Sequence, residues 1–136
     1  MSWKLVLQLS LFGLAMGIAT VFLIPGRIEP LVWLVILAIS AYVIAVRAPG
    51  SYFLHGLFVG LANSVWVTAS HILLFKSYIS NHPREAAMMA STPLPDSPRL
   101  MMVLLGPVIG VATGVALGGF AIVAAKRVPR RTGTPL

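Results

Sequence analysis

The 136-residue chain is 58% hydrophobic and only 10% charged, with a mean hydropathy of +0.94; an average soluble domain carries about a quarter charged residues, so a water-facing surface is excluded over most of its length. It has no cysteine, which rules out disulfides and thiolate metal sites. The net charge of +7 sits beside apolar blocks, where basic residues set topology or meet anionic lipid, and nucleic acid is therefore not an expected partner.

The first apolar stretch covers residues 5–24, enough for roughly 30 Å of helix. Trp3 and Lys4 precede it as an interfacial anchor, and Pro25 and Gly26 end it. A cleaved signal peptide would need a small-residue site near Gly17 and Ala19. The apolar run continues past that point, so an uncleaved membrane helix is expected. The second stretch, residues 31–46, opens on Pro30 after Glu29, which suits the positive end of a helix dipole. Arg47 and the Ala48-Pro49-Gly50 turn close it, and the tight turn predicts an antiparallel hairpin with the third stretch, residues 52–75, capped by Ser51.

Residues 76–99 form a long loop of different composition, with Pro83, Pro93, Pro95 and Pro98. Pro83 and Glu85 predict a short helix reaching Ser91, followed by extended backbone. Ser97 and Pro98 then open the fourth stretch, residues 99–125, with Pro107 inside it predicting a kink. Residues 126–136 read as a basic, mobile tail able to meet anionic lipid. The expected fold is all-α: one polytopic domain over residues 1–136, four transmembrane helices in an antiparallel bundle, with a short helix in the third loop.

Four crossings put both termini on one side. That side carries Lys4, Arg47, Lys126, Arg127, Arg130 and Arg131, against Arg27, Lys76, Arg84 and Arg99 on the other. The bias predicts cytoplasmic termini, as in a bacterial inner membrane.

Glycine marks the helix faces. Gly106, Gly110, Gly114 and Gly118 recur at four-residue spacing on the fourth helix, with Gly13 and Gly17 on the first and Gly56 and Gly60 on the third. Such rows let helix backbones approach closely, within one chain or between chains. The third helix also carries a polar stripe of Asn63, Ser64, Thr68 and His71, which belongs against the bundle interior, a partner or a solute path. At the outer face, His71, His82 and Glu85, with Asp96 further along, are the residues that a nitrogen/oxygen metal site would use. No membrane stretch holds a central Asp, Glu, Lys or Arg, and neither a nucleophile elbow nor a phosphate-binding loop occurs.

Three functions follow, in order. The first is a packing protein, a homo-oligomer or an accessory subunit of a larger membrane complex. The second is a channel or facilitator for a small solute along the stripe of the third helix. The third is a membrane enzyme with an outer-face His/Glu metal site.

Overall fold

The computed structural model describes residues 1–128. Six helices follow one another: α1 Trp3–Phe22, α2 Glu29–Arg47, α3 Tyr52–Leu73, α4 Phe75–Asn81, α5 Pro83–Met89 and α6 Pro98–Arg127. Four of them, α1, α2, α3 and α6, are long and apolar enough to cross a membrane. Lys126 and Arg127 form the last turn of α6, and the remainder of the basic tail, residues 129–136, lies outside the described residues.

Local chemistry explains most boundaries. The Ser2 hydroxyl accepts from the Leu5 amide and caps α1. Proline occupies the first turn of α2, α5 and α6, where its missing N–H is no loss. The expected caps at Ser51 and Ser97 are not made. Ser51 takes a left-handed conformation, and its carbonyl instead receives both the His55 amide at 3.0 Å and the His55 ring at 2.9 Å. The third stretch also ends earlier than its composition predicts. Leu74 breaks the helix, and residues 75–81 turn into α4, where Asn81 Nδ2 donates to the Val21 carbonyl at 2.6 Å and ties α4 to the end of α1. α6 runs through Pro107 as one helix.

α3 is the central element. It packs mainly on α1 and α6, while α2 packs mainly on α6 and meets its sequence neighbour α3 only slightly. The expected α2–α3 hairpin is therefore a turn in the chain without being a packed pair. The physical reason is that α2 has no glycine, whereas α1 and α6 both offer α3 a flat surface.

The α3–α6 seam is a register of four contacts. A Cβ on Gly56 would strike the Gly118 backbone, and one on Gly60 would strike Gly114. Further along, Ser64 fills the space over Gly110 and Thr68 the space over Gly106. As α3 advances from 56 to 68, α6 recedes from 118 to 106. On the other side of α3, Asn63 lies on Gly13 and Ser70 on Gly17, so these two helices advance together.

Near the termini the four long helices close on one another. Leu5, Leu9, Ala41, Ile44, Val59, Leu117 and Ala121 make a common core there. Elsewhere the usual distribution is inverted: Ser10, Thr20, Ser40, His55, Asn63 and Ser70 are buried, while Leu7, Leu11, Leu31, Val35, Val65 and Val108 are exposed.

Candidate functional site

Away from the closed core, α2 stands off α3 and α6 and leaves a cleft of about 560 Å³, within the range of small-molecule sites. It follows α3 from Gly60 to His71, roughly 16 Å at 1.5 Å per residue. α2 supplies Glu29, Pro30, Trp33, Leu34 and Leu37; α6 supplies Met102, Leu105, Gly106, Ile109 and Thr113; Tyr78 and Met89 reach in from α4 and α5. The wall is largely apolar, so each polar atom on it is conspicuous.

Asn63 is held in one orientation. Because Gly13 has no side chain, the Asn63 Cα comes to where a Cβ on Gly13 would stand only 2.5 Å away, and Asn63 Oδ1 accepts from the Gly13 amide at 3.0 Å. That bond requires the oxygen to face α1. Asn63 also lines the cleft, and among the described residues its amide nitrogen, a double donor, makes no hydrogen bond. Thr68 lines the same wall over Gly106. Ser64 lines it too, but its hydroxyl is spent on the Leu61 carbonyl at 2.7 Å.

His71 closes the α3 side. Thr20 Oγ1 lies 2.8 Å from both the Met16 carbonyl and His71 Nε2, and the hydrogen bond between hydroxyl and imidazole ties His71 to α1. The His71 ring stacks on Tyr78 at 4.2 Å, and Tyr78 stacks on His82 at 4.4 Å. Burial pushes the Tyr78 phenol up to about 12, helped by the negative charges of Glu29 and Glu85. Across the cleft, Trp33 Nε1 donates to Glu29 Oε1 at 3.3 Å and orients the carboxylate.

The stripe read from the sequence is divided. Asn63 and His71 engage α1, whereas Ser64 and Thr68 lie over the glycines of α6, and all four still border the one cleft. The metal set does not assemble. The Tyr78 ring stands between His71 and His82, Glu85 lies over Gly26, and among the described residues no three His, Asp or Glu side chains come together as a metal site. His82 is buried, with Nδ1 on the Tyr78 carbonyl at 2.9 Å and Nε2 unpartnered. The hollow beside it, about 230 Å³, carries Arg27, Arg84 and Glu85, and so has no single sign of charge to select a ligand.

Gly13 and Gly17 of α1 face α3, and Gly56 and Gly60 of α3 face α6. Gly106, Gly110, Gly114 and Gly118 are buried under α3, so the row that suggested a groove for a second chain is filled from within. Sequence reasoning missed Glu29, Trp33 and Tyr78 as site residues. The i, i+4 pairing of Glu29 with Trp33 was the available signal for the first two; nothing local marked Tyr78. No known protein family, curated protein or solved structure matches the chain.

Proposed function

We propose that this is an integral membrane protein that binds a small, largely apolar solute in the cleft between α2, α3 and α6. On this reading the four long helices cross the bilayer alternately up and down as an antiparallel bundle, with the termini cytoplasmic, in a membrane such as the bacterial inner membrane. The exposed Leu, Ile and Val side chains then meet acyl chains, and the buried Ser, Thr, His and Asn are kept inside the bundle. The observation that carries the reading is Asn63. Its oxygen is held by the Gly13 amide, and its amide nitrogen has no partner among the described residues while the side chain lines a largely apolar cleft. A bare donor in such surroundings is costly and calls for a ligand group.

The core at the terminal end favours a binding cleft over an open pore, since Ile44, Val59, Leu117 and Ala121 have no exposed surface there. A facilitator would have to part those side chains. Assembly through the α6 glycine row ranks behind both, because α3 would have to leave it.

The test uses Trp33, which lines the cleft. In nanodiscs, a neutral bromoalkane should quench its emission in a saturable way; Trp33→Phe should remove that component, and Val67→Phe, which fills the cleft, should weaken it. Equal quenching in wild type and Val67→Phe would sink the proposal.

A further inference from the structure

The outer end of the cleft carries a carboxylate and an indole, and these specify the ligand more narrowly. Glu29 is the one charged residue on the cleft wall. Among the described residues it has no ion-pair partner; its oriented contact is with the neutral Trp33 indole. Of the basic residues on that side, Arg27 and Arg84 border the smaller hollow, Arg99 lies over the Phe75 ring at 4.7 Å, and neither these nor Lys76 lines the cleft. The local charge is therefore negative inside a chain whose net charge is +7.

Trp33 stands at the same end with its indole nitrogen on Glu29, while both faces of the neighbouring Tyr78 ring are taken by His71 and His82. Aromatic faces attract cations and offer little to anions, and a carboxylate beside them adds direct attraction. Further in, the wall is Leu37, Leu105, Ile109 and Val67, suited to a hydrocarbon body.

Resting on the cleft as a solute site, we infer that its ligand is a lipophilic organic monocation, with the positive centre beside Glu29 and Trp33 and the apolar body along α3. A phosphate-bearing or carboxylate-bearing amphiphile would bring a second negative charge beside Glu29 and is excluded by the same argument.

The experiment compares two probes of one shape and opposite charge. Tetraphenylphosphonium and tetraphenylborate are titrated calorimetrically into the full chain in neutral-lipid nanodiscs, with empty nanodiscs as the reference. The cation should bind saturably and the anion should not. Glu29→Gln should weaken the cation by roughly tenfold or more, the scale of one charge-assisted contact, and Glu29→Asp should restore part of it. Trp33→Phe, a second variant with the carboxylate intact, should weaken it less. Thermal melts and helical dichroism establish that each variant is folded. Equal binding of the two probes, or unchanged cation binding in folded Glu29→Gln, overturns the inference. If the cation fails while the neutral bromoalkane still quenches Trp33 saturably, the charge assignment falls and the cleft reading stands. If both fail, both fall.

Discussion

α2 and α3 are joined by a tight turn and differ by only three residues in length, 19 against 22, yet they sit in the molecule in opposite ways. α3 is gripped on both flanks at backbone distance. α2 touches α6 and otherwise stands away, and the space it leaves is the cleft. The difference is side-chain size where helices face one another. α3 presents Gly56, Gly60, Ser64 and Thr68 to glycines, while α2 presents Trp33, Leu34 and Leu37 to the interior. On the proposed membrane reading, apolar bulk does not pull helices together; close approach and many small dispersion contacts do. The helix with larger side chains therefore bounds a cavity, and the helix with the smaller ones becomes the core.

The comparison breaks most severely at Gly60. A Cβ there meets the Gly114 backbone, which has no rotamer to move aside. Gly60→Leu should cost about 3 kcal/mol or more, at the upper end of overpacking penalties. The readout is the midpoint of a thermal melt followed by helical dichroism in detergent. Gly119→Leu is the matched control: nothing lies within 4 Å of a Cβ at that position, one residue beyond Gly118. Its midpoint should stay near wild type. Similar losses in both variants would mean that glycine itself, rather than the seam, supports the fold.

A second contrast sets the closed end against the cleft. Ala121 has no exposed surface and packs with Ile44, Val59 and Leu117, so Ala121→Leu should destabilise by about 1–3 kcal/mol. Val67→Phe adds comparable bulk on the cleft wall, where there is room. It should shift stability by less than about 0.5 kcal/mol, the scale of substitutions outside packed features. Equal penalties in detergent melts would show that the two ends are packed alike.

These contrasts also show how far the chain could be read from its residues. The four apolar stretches are legible because length and continuous hydropathy suffice to mark a span. The glycine spacing is legible as a close-packing surface, but spacing is silent about which helix lies on it. Gly110 could not announce that its neighbour would be Ser64, nor could the tight turn at Ala48-Pro49-Gly50 reveal that α2 would prefer α6. Partner choice is a property of two surfaces, and hydropathy is nearly uniform around these helices. The break at Leu74 is equally hidden, as is the bond from Asn81 to Val21 that ties α4 to α1 across the fold. Asn63 and His71 were legible as interior polar residues; the division of the stripe between α1 and α6 was not.

Asn63 offers a smaller and more discriminating effect. Asn63→Ala removes the bond to Gly13 at 3.0 Å, worth about 1 kcal/mol or less between membrane helices. It leaves the α3–α6 glycine seam intact, so the melt should remain cooperative with a modestly lower midpoint. Under the cleft reading it should also weaken the saturable quenching of Trp33 by a probe that accepts a hydrogen bond, such as a long-chain ketone, more than by a bromoalkane. Equal weakening for both would reduce Asn63 to a structural tie between α1 and α3.

The smallest effect expected is a matter of pH, and it arises at the open end of the molecule. Tyr78 is buried between two imidazoles, and burial, then the charges of Glu29 and Glu85, raise its phenol to about 12 from an ordinary value near 10. The neutral form is the one that the fold favours. The stability this contributes is therefore whole below about pH 10 and is lost as pH rises from there through about 12. A tyrosinate absorbance titration should contain a step near pH 12, and Tyr78→Phe should delete it. Glu29→Gln should bring the step to lower pH, because it removes one of the two charges holding the proton in place. Burial would persist in that variant, so the shift should be partial. A titration of Tyr78 indifferent to Glu29 would separate the carboxylate from the phenol, and with it the joint mouth that the cleft needs if its two sides are to act on one ligand.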